Sequence, residues 1–118
     1  MNILLVDDSK AMRAMVRRAL QETGMCDLRV EEVANGGDAL ARLAQGLPDL
    51  ILSDWSMPEM TGIELLRELR ARGCGVRFGF VTCQEASAQM RETAFQSGAH
   101  FMLAKPFSVQ NFRVLLRS

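Results

Sequence analysis

The chain has 118 residues, 48% of them hydrophobic and 24% charged, which fits one domain able to hold a core without disulfide or metal staples and excludes a disordered chain. Fourteen basic and fourteen acidic residues cancel, so the excess positive charge that non-specific nucleic-acid binding needs is missing. The three cysteines, Cys26, Cys74 and Cys83, are odd in number and form no C-x-x-C pair, which suggests free thiols in a reducing cytoplasm and no zinc site. No apolar run is long enough to span a membrane, and no basic-then-hydrophobic leader precedes Ile3.

In chain order, Ile3 to Val6 reads as a first strand, and Met12, Met15, Val16, Ala19 and Leu20 follow the i, i+3, i+4, i+7 spacing of an amphipathic helix. Leu28 to Val33 is a second strand, followed by a weaker helical pattern at Ala39, Leu40, Leu43 and Ala44. Leu50 to Ser53 precedes a helix marked by Leu65, Leu66 and Leu69. Phe78 to Val81 precedes Ala86, Met90, Ala94 and Phe95, and Phe101 to Ala104 precedes Val109, Phe112, Leu115 and Leu116. Gly24, Gly46, Gly73 and Gly98 stand where helical patterns stop, the place for a residue that must reach positive φ. Five strands alternating with five helices predict βαβ units around a parallel sheet. No repeat or linker divides the chain, so residues 1–118 are expected to be one domain and little more.

Ligands of open α/β sheets sit beyond the carboxyl ends of the strands. There the first strand ends in Asp7-Asp8, the third in Asp54, the fourth in Thr82 and the fifth in Lys105-Pro106. Two carboxylates about 5 Å apart repel by roughly 3 kcal/mol at an effective dielectric near 20, so three of them need counter-charge. Lys105 supplies one unit; a hard divalent cation supplies more, and Mg²⁺ characteristically takes one or two carboxylates, waters and phosphate oxygens. One carboxylate would then be free to attack phosphorus, with Thr82 and Lys105 meeting the phosphoryl oxygens.

The segments Leu5-Val6-Asp7-Asp8-Ser9, Asp54-Trp55-Ser56-Met57-Pro58-Glu59-Met60-Thr61-Gly62, Val81-Thr82 and Lys105-Pro106-Phe107, in this order, resemble the receiver domain of two-component response regulators over essentially the whole chain. The stretch from Asp54 to Gly62 is most similar to the stand-alone, CheY-like chemotaxis regulators. The resemblance implies a flavodoxin-like (βα)5 doubly wound three-layer sandwich with strand order 2-1-3-4-5. It implies Asp54 as phosphoacceptor, and Mg²⁺ held by Asp8, Asp54 and the backbone carbonyl of Ser56, with Asp7 acting mainly through metal-bound water. Thr82 and Lys105 would contact the phosphoryl group, and the Lys105-Pro106 peptide would be cis.

Taken singly, several of these residues have plainer roles. Asp8 or Ser9 could simply cap the first helix, Thr82 could bond to backbone, and Lys105 could be a solvated loop charge; their weight lies in the set. Met102 departs from the family, whose members often carry Tyr or Phe three residues before the lysine. Phe101 is one position early and on the opposite face of the strand, which leaves Met102 either a flexible switch residue or passive packing. Cys83 stands where a small residue is usual, and a buried inert thiol is expected there in preference to a redox-regulated one. Ser56 and Gln84 match positions that tune acyl-phosphate hydrolysis, and their neutrality implies a moderate lifetime. Trp55 is expected to be an exposed neighbour of the site, His100 structural, and the other methionines core filler.

The expected function is a phosphorylation switch that takes a phosphoryl group from a sensor histidine kinase or phosphotransfer protein onto Asp54. It would then bind a protein target through its fourth helix, fifth strand and fifth helix, as a monomer or a phosphorylation-linked dimer. No nucleic acid or membrane contact is expected, and no activity beyond its own phosphorylation and dephosphorylation. A chemotaxis or motility role is preferred to a phosphorelay shuttle or a receiver trimmed from a larger regulator. A haloacid-dehalogenase-type phosphatase would need a second acid two residues after Asp7, where Ser9 stands. A phosphorylation-independent binding module would typically have lost an acid or the lysine, and all are present.

Overall fold

The computed structural model describes residues 1–83 and 85–117, so the lifetime-tuning expectation for Gln84 lies outside the described residues. Strands β1 (Asn2–Val6), β2 (Arg29–Val33), β3 (Leu50–Ser53), β4 (Arg77–Thr82) and β5 (Phe101–Ala104) alternate with helices α1 (Lys10–Glu22), α2 (Gly36–Leu43), α3 (Gly62–Ala71), α4 (Ala88–Gln96) and α5 (Val109–Arg117). All pairings are parallel and the order is β2-β1-β3-β4-β5, the flavodoxin-like arrangement expected from the sequence.

Alternation along the strands divides the core between two faces. Leu4, Val6, Ile51, Phe78, Phe80 and Met102 pack with Leu43 of α2, Leu65, Leu66 and Leu69 of α3 and Ala94 of α4. Ile3, Leu5, Leu50, Leu52 and Val81 pack with Met12, Val16 and Leu20 of α1 and Phe112, Leu115 and Leu116 of α5. Central β3 is buried along its whole length, as a parallel strand covered on both faces must be.

Edge strand β2 is more polar than the other four, β5 at the opposite edge included. Its middle residues are Glu31 and Glu32, both exposed. Arg13 and Arg17 of α1 hold Glu32 at 3.0 and 2.7 Å, and Arg42 of α2 holds Glu31 at 2.6 Å. Such pairs add little stability one by one, but together they place charge along an otherwise open sheet edge.

Helix starts are set by side-chain caps. Ser9, Asn35, Thr61 and Ser87 each accept a hydrogen bond from a backbone N–H in the first turn, and Thr61 with Glu64 forms a full capping box. Two of these caps, Ser9 and Thr61, close the loops that follow β1 and β3. The expected positive-φ glycines are found at Gly24, Gly46, Gly73 and Gly98.

Three side chains assigned to buried helical faces are exposed: Met15 at 41%, Phe95 at 49% and Ala44 just past the end of α2. On a helical wheel Met15 lies about 90° from the centre of the stripe formed by Met12, Val16, Ala19 and Leu20, so the sheet covers only part of it. Helix α4 is thinly packed and fully buries only Ala94. Met25 is likewise 39% exposed, which corrects the reading of the remaining methionines as uniform core filler.

Candidate functional site

The carboxyl ends of β1 and β3 are locked together by backbone. Asp54 N–H donates to the Val6 carbonyl at 2.9 Å, and Asp7 N–H to the Val33 carbonyl at 3.1 Å, so the residues just past the strands stay in sheet register. As a result Asp7, Asp8 and Asp54 bring carboxylate oxygens within 4.8 Å of one another, with Asp7 buried, Asp54 half-buried and Asp8 exposed. Ser9 does two things at this corner: its N–H donates to Asp7 Oδ1 at 2.8 Å, and its Oγ caps α1 through Met12 N–H. The capping reading of Ser9 and the clustering of Asp8 with the other acids therefore hold together.

Crowding of like charge with little solvent changes the acids' chemistry. Burial pushes Asp7 from the ordinary 3.8 up to about 6; the Ser9 N–H opposes this, while the charges of Asp54 and Asp8 add to it. Asp54 is also raised, mainly by burial and then by Asp8, against hydrogen bonds from the Trp55 and Ser56 backbone N–H groups. Trp55 N–H meets Asp54 Oδ1 at 2.7 Å, which orients the carboxylate. Three convergent hard oxygen donors, costly to ionise together, make a donor set suited to a hard divalent cation.

The cation comes from the other side of the sheet. Lys105 N–H donates to the Thr82 carbonyl at 3.0 Å, continuing the β4–β5 register in which Thr82 faces Ala104. Thr82 is fully buried, Lys105 and Pro106 are exposed, and the peptide between them is cis. Asp7, Asp54 and Lys105 line one cavity of about 180 Å³, whose remaining walls include Ala11, Met12 and Met15 of α1 together with Cys83. A larger cleft of about 470 Å³ lies between α1, β2 and α2, but its arginines are tied to Glu31 and Glu32 and no strand-end acid of the cluster reaches it.

Several expectations are corrected here. Cys83 is exposed, not buried, because β4 has ended at Thr82 and no helix covers the next residue. Trp55 is half-buried: its ring lies 5.0 Å from that of Phe80, which in turn lies 5.2 Å from Phe78. Met102 is buried on the α4 side, opposite Phe80 in the strand register, while Phe101 packs on the α1/α5 side. His100 accepts a hydrogen bond at Nδ1 from Phe78 N–H at 3.1 Å, a structural role as expected.

Sequence reasoning gave no role to two residues at the site. Arg13 donates to the Asp7 backbone carbonyl at 2.6 Å, and Gly62 packs directly on the loop that carries Asp54, its N–H meeting the Trp55 carbonyl at 3.0 Å. A Cβ at Gly62 would overlap the Asp54 backbone oxygen and come within 2.8 Å of Phe80 Cε1. Gly62→Ala is therefore expected to destabilise the fold by about 1–3 kcal/mol, the usual range for overpacking, and to displace Asp54. Urea unfolding would measure the first effect, and an unchanged midpoint would contradict the packing argument. The sequence signal for Gly62 was its place at the start of a helix, where glycine is otherwise a weak choice.

Comparison with known proteins agrees with this geometry. The family model described as the response regulator receiver domain matches residues 3–117. The chain is 38% identical over 112 residues to the chemotaxis protein CheY of Pseudomonas aeruginosa, covering 93% of this chain and 88% of that protein. It is 32% identical over 118 residues to the response regulator MprA of Mycobacterium avium, of which it spans half. Among solved structures, the Vibrio cholerae chemotaxis protein CheY4 superposes with a TM-score of 0.83 at 31% identity over 98% of this chain and 95% of that one. The receiver domain of the Francisella response regulator 1452 gives 0.86 at 25% identity over 98% and 93%. With the fold, the strand-end acids and the family match in agreement, the chain belongs to the response regulator receiver domain family, a phosphoacceptor signalling module rather than a catalytic enzyme.

Proposed function

We propose that this chain is a phosphorylation switch in which Asp54 accepts a phosphoryl group from the phosphohistidine of a sensor kinase or phosphotransfer protein. The convergence of Asp7, Asp8 and Asp54 within 4.8 Å at the strand ends is the observation that carries this reading. Mg²⁺ would be held by Asp8, Asp54 and the Ser56 carbonyl, with Asp7 acting through water, and when bound it neutralises carboxylate and phosphoryl charge. A carboxylate oxygen of Asp54 forms the new O–P bond as the P–N bond to the donor imidazole breaks, and the ring nitrogen leaves with the electron pair and takes up a proton. The Thr82 hydroxyl and Lys105 ammonium meet the phosphoryl oxygens as charge builds there.

Output is proposed to leave through the face made by α4, β5 and α5. Helix α4 is the least firmly packed of these elements and sits beside Met102, whose flexible side chain serves as the switch residue in place of an aromatic ring. Exposed Cys83 would leave room for the donor, while Ser56 and Gln84 would give the phosphoryl group a moderate lifetime. Likeness to two chemotaxis proteins favours a chemotaxis or motility role for a single domain of residues 1–118 in the cytoplasm, acting as a monomer or a phosphorylation-linked dimer. The half-length match to MprA keeps a receiver within a larger regulator as the second reading. Among the described residues no helix is long and apolar enough to cross a membrane.

Incubation with acetyl phosphate, with Mg²⁺ or with a chelator, followed by intact mass measurement, tests the proposal. The expected result is one added phosphoryl group, labile to hydroxylamine, in the Mg²⁺ sample alone. An unchanged mass in both would overturn it.

A further inference from the structure

The backbone of Asp7 is held on both sides, and one of the holds comes from a side chain. Its N–H is bonded to the Val33 carbonyl at 3.1 Å, an ordinary continuation of the β1–β2 ladder. Its carbonyl accepts Arg13 Nη1 of α1 at 2.6 Å. That carbonyl belongs to the planar peptide joining Asp7 to Asp8, so its direction governs how the exposed Asp8 leaves the sheet. Arg13 is itself held from behind: its Nε donates to Glu32 Oε1 at 3.0 Å, and its side chain is only 16% exposed. Glu32 Oε2 in turn accepts Arg17 Nε at 2.7 Å, and Arg17 Nη2 reaches the Val30 carbonyl at 2.7 Å. A planar guanidinium fork serves two acceptors in fixed directions, which makes Glu32, Arg13 and the Asp7 carbonyl a brace from the sheet edge to the acids.

We infer that Arg13 is a positioning residue for the divalent-cation site and that Glu32 acts through it, the two together orienting the Asp7–Asp8 peptide so that the carboxylates of Asp8 and Asp54 meet one ion. This rests on the reading of the acidic cluster as the Mg²⁺ site beside the acceptor, and adds two residues to it. Neither touches the ion; their part is to hold the turn in the shape that binding needs, so that less ordering remains to be done when Mg²⁺ arrives. Charge and position pull in opposite directions here. A guanidinium this close to the acids repels a second cation, so an Arg13 that acted by charge alone would weaken Mg²⁺ binding, whereas one that positions the acids strengthens it.

The test measures Mg²⁺ affinity of the whole chain from Trp55 fluorescence, with a urea unfolding curve for each protein. Arg13→Met, a swap between residues of similar helix propensity, is expected to weaken Mg²⁺ binding about 10-fold, as loss of a partner that orients a metal ligand does. Unchanged or tighter binding would overturn the inference. Glu32→Thr keeps a strand-forming residue too short to reach Arg13, and is expected to weaken binding about 3-fold. Glu31→Thr removes the same charge one position earlier in β2, where the partner is Arg42, and should stay within about 2-fold of the parent. Equal weakening in the two glutamate variants would reduce the effect to lost charge and overturn the inference; if Arg13→Met does not fold, this pair decides alone. A parent that neither binds Mg²⁺ nor gains phosphoryl mass would overturn the reading of the acidic cluster, and the inference with it.

Discussion

Asp54→Asn is expected to reduce phosphoryl incorporation from acetyl phosphate or a phosphohistidine donor to background while leaving the fold intact. An amide oxygen is too weak a nucleophile to form the acyl phosphate, but it can still accept the Trp55 N–H bond that orients this side chain at 2.7 Å. Burial and the charge of Asp8 both raise the Asp54 carboxyl, so the metal-free variant is expected to be somewhat more stable than the parent at neutral pH. Intact mass and a thermal melt on the same sample read both effects. A variant that still gains a phosphoryl group would move the acceptor to another residue. One that loses the gain only because it has unfolded would be recognised by the melt.

Asp7→Asn is expected to have the larger effect on stability. In the unfolded chain Asp7 ionises near 3.8, whereas in the fold it holds its proton up to about 6. Between those limits the folded state binds more protons than the unfolded state, so metal-free stability falls as pH rises from about 4 to about 6 and is level beyond. A difference of about two pKa units corresponds to roughly 3 kcal/mol. Asparagine removes that penalty while its carbonyl oxygen can still accept the Ser9 N–H bond. The metal-free variant should therefore be about 1–3 kcal/mol more stable at pH 7–8 and lose the acid-side slope. Added Mg²⁺ should raise the melting temperature of both proteins and that of the parent more, since the variant keeps the carboxylates of Asp8 and Asp54 but has one charge fewer to neutralise. Equal pH slopes in the two proteins would show that burial of Asp7 is not the source of the perturbation.

Much of the fold was legible because its signals are local and repeated. Five strands, five helices and the turn glycines all follow from periodicity in short windows, and parallel order follows from their alternation. The acids were legible for a topological reason: in such a sheet, whatever follows each strand gathers at one end. What sequence could not supply was the environment of single side chains. Cys83 looked like core from its residue type, yet its exposure depends on where β4 stops. Trp55 looked like a surface reporter, yet Phe80 two strand positions before Thr82 offers it a ring to pack on. Met15 followed the helical spacing but lies about 90° from the centre of the stripe, and the sequence does not show how wide a stripe the sheet covers. Gly62 was visible only as a motif letter, because its importance lies in the approach of another loop's carbonyl.

Trp55 makes the most direct measurement available, since it is the only tryptophan, the chain has no tyrosine, and its backbone N–H is bonded to the Asp54 carboxylate. Its fluorescence should be followed through a Mg²⁺ titration and then through addition of acetyl phosphate, in the parent and in Asp54→Asn, with intact mass taken at the end point. A saturable Mg²⁺ response, followed in the parent alone by a second change that coincides with the added phosphoryl mass, is the predicted result. No response to Mg²⁺ and no gain of mass would contradict the assignment of this acidic cluster as a metal-assisted phosphoacceptor site.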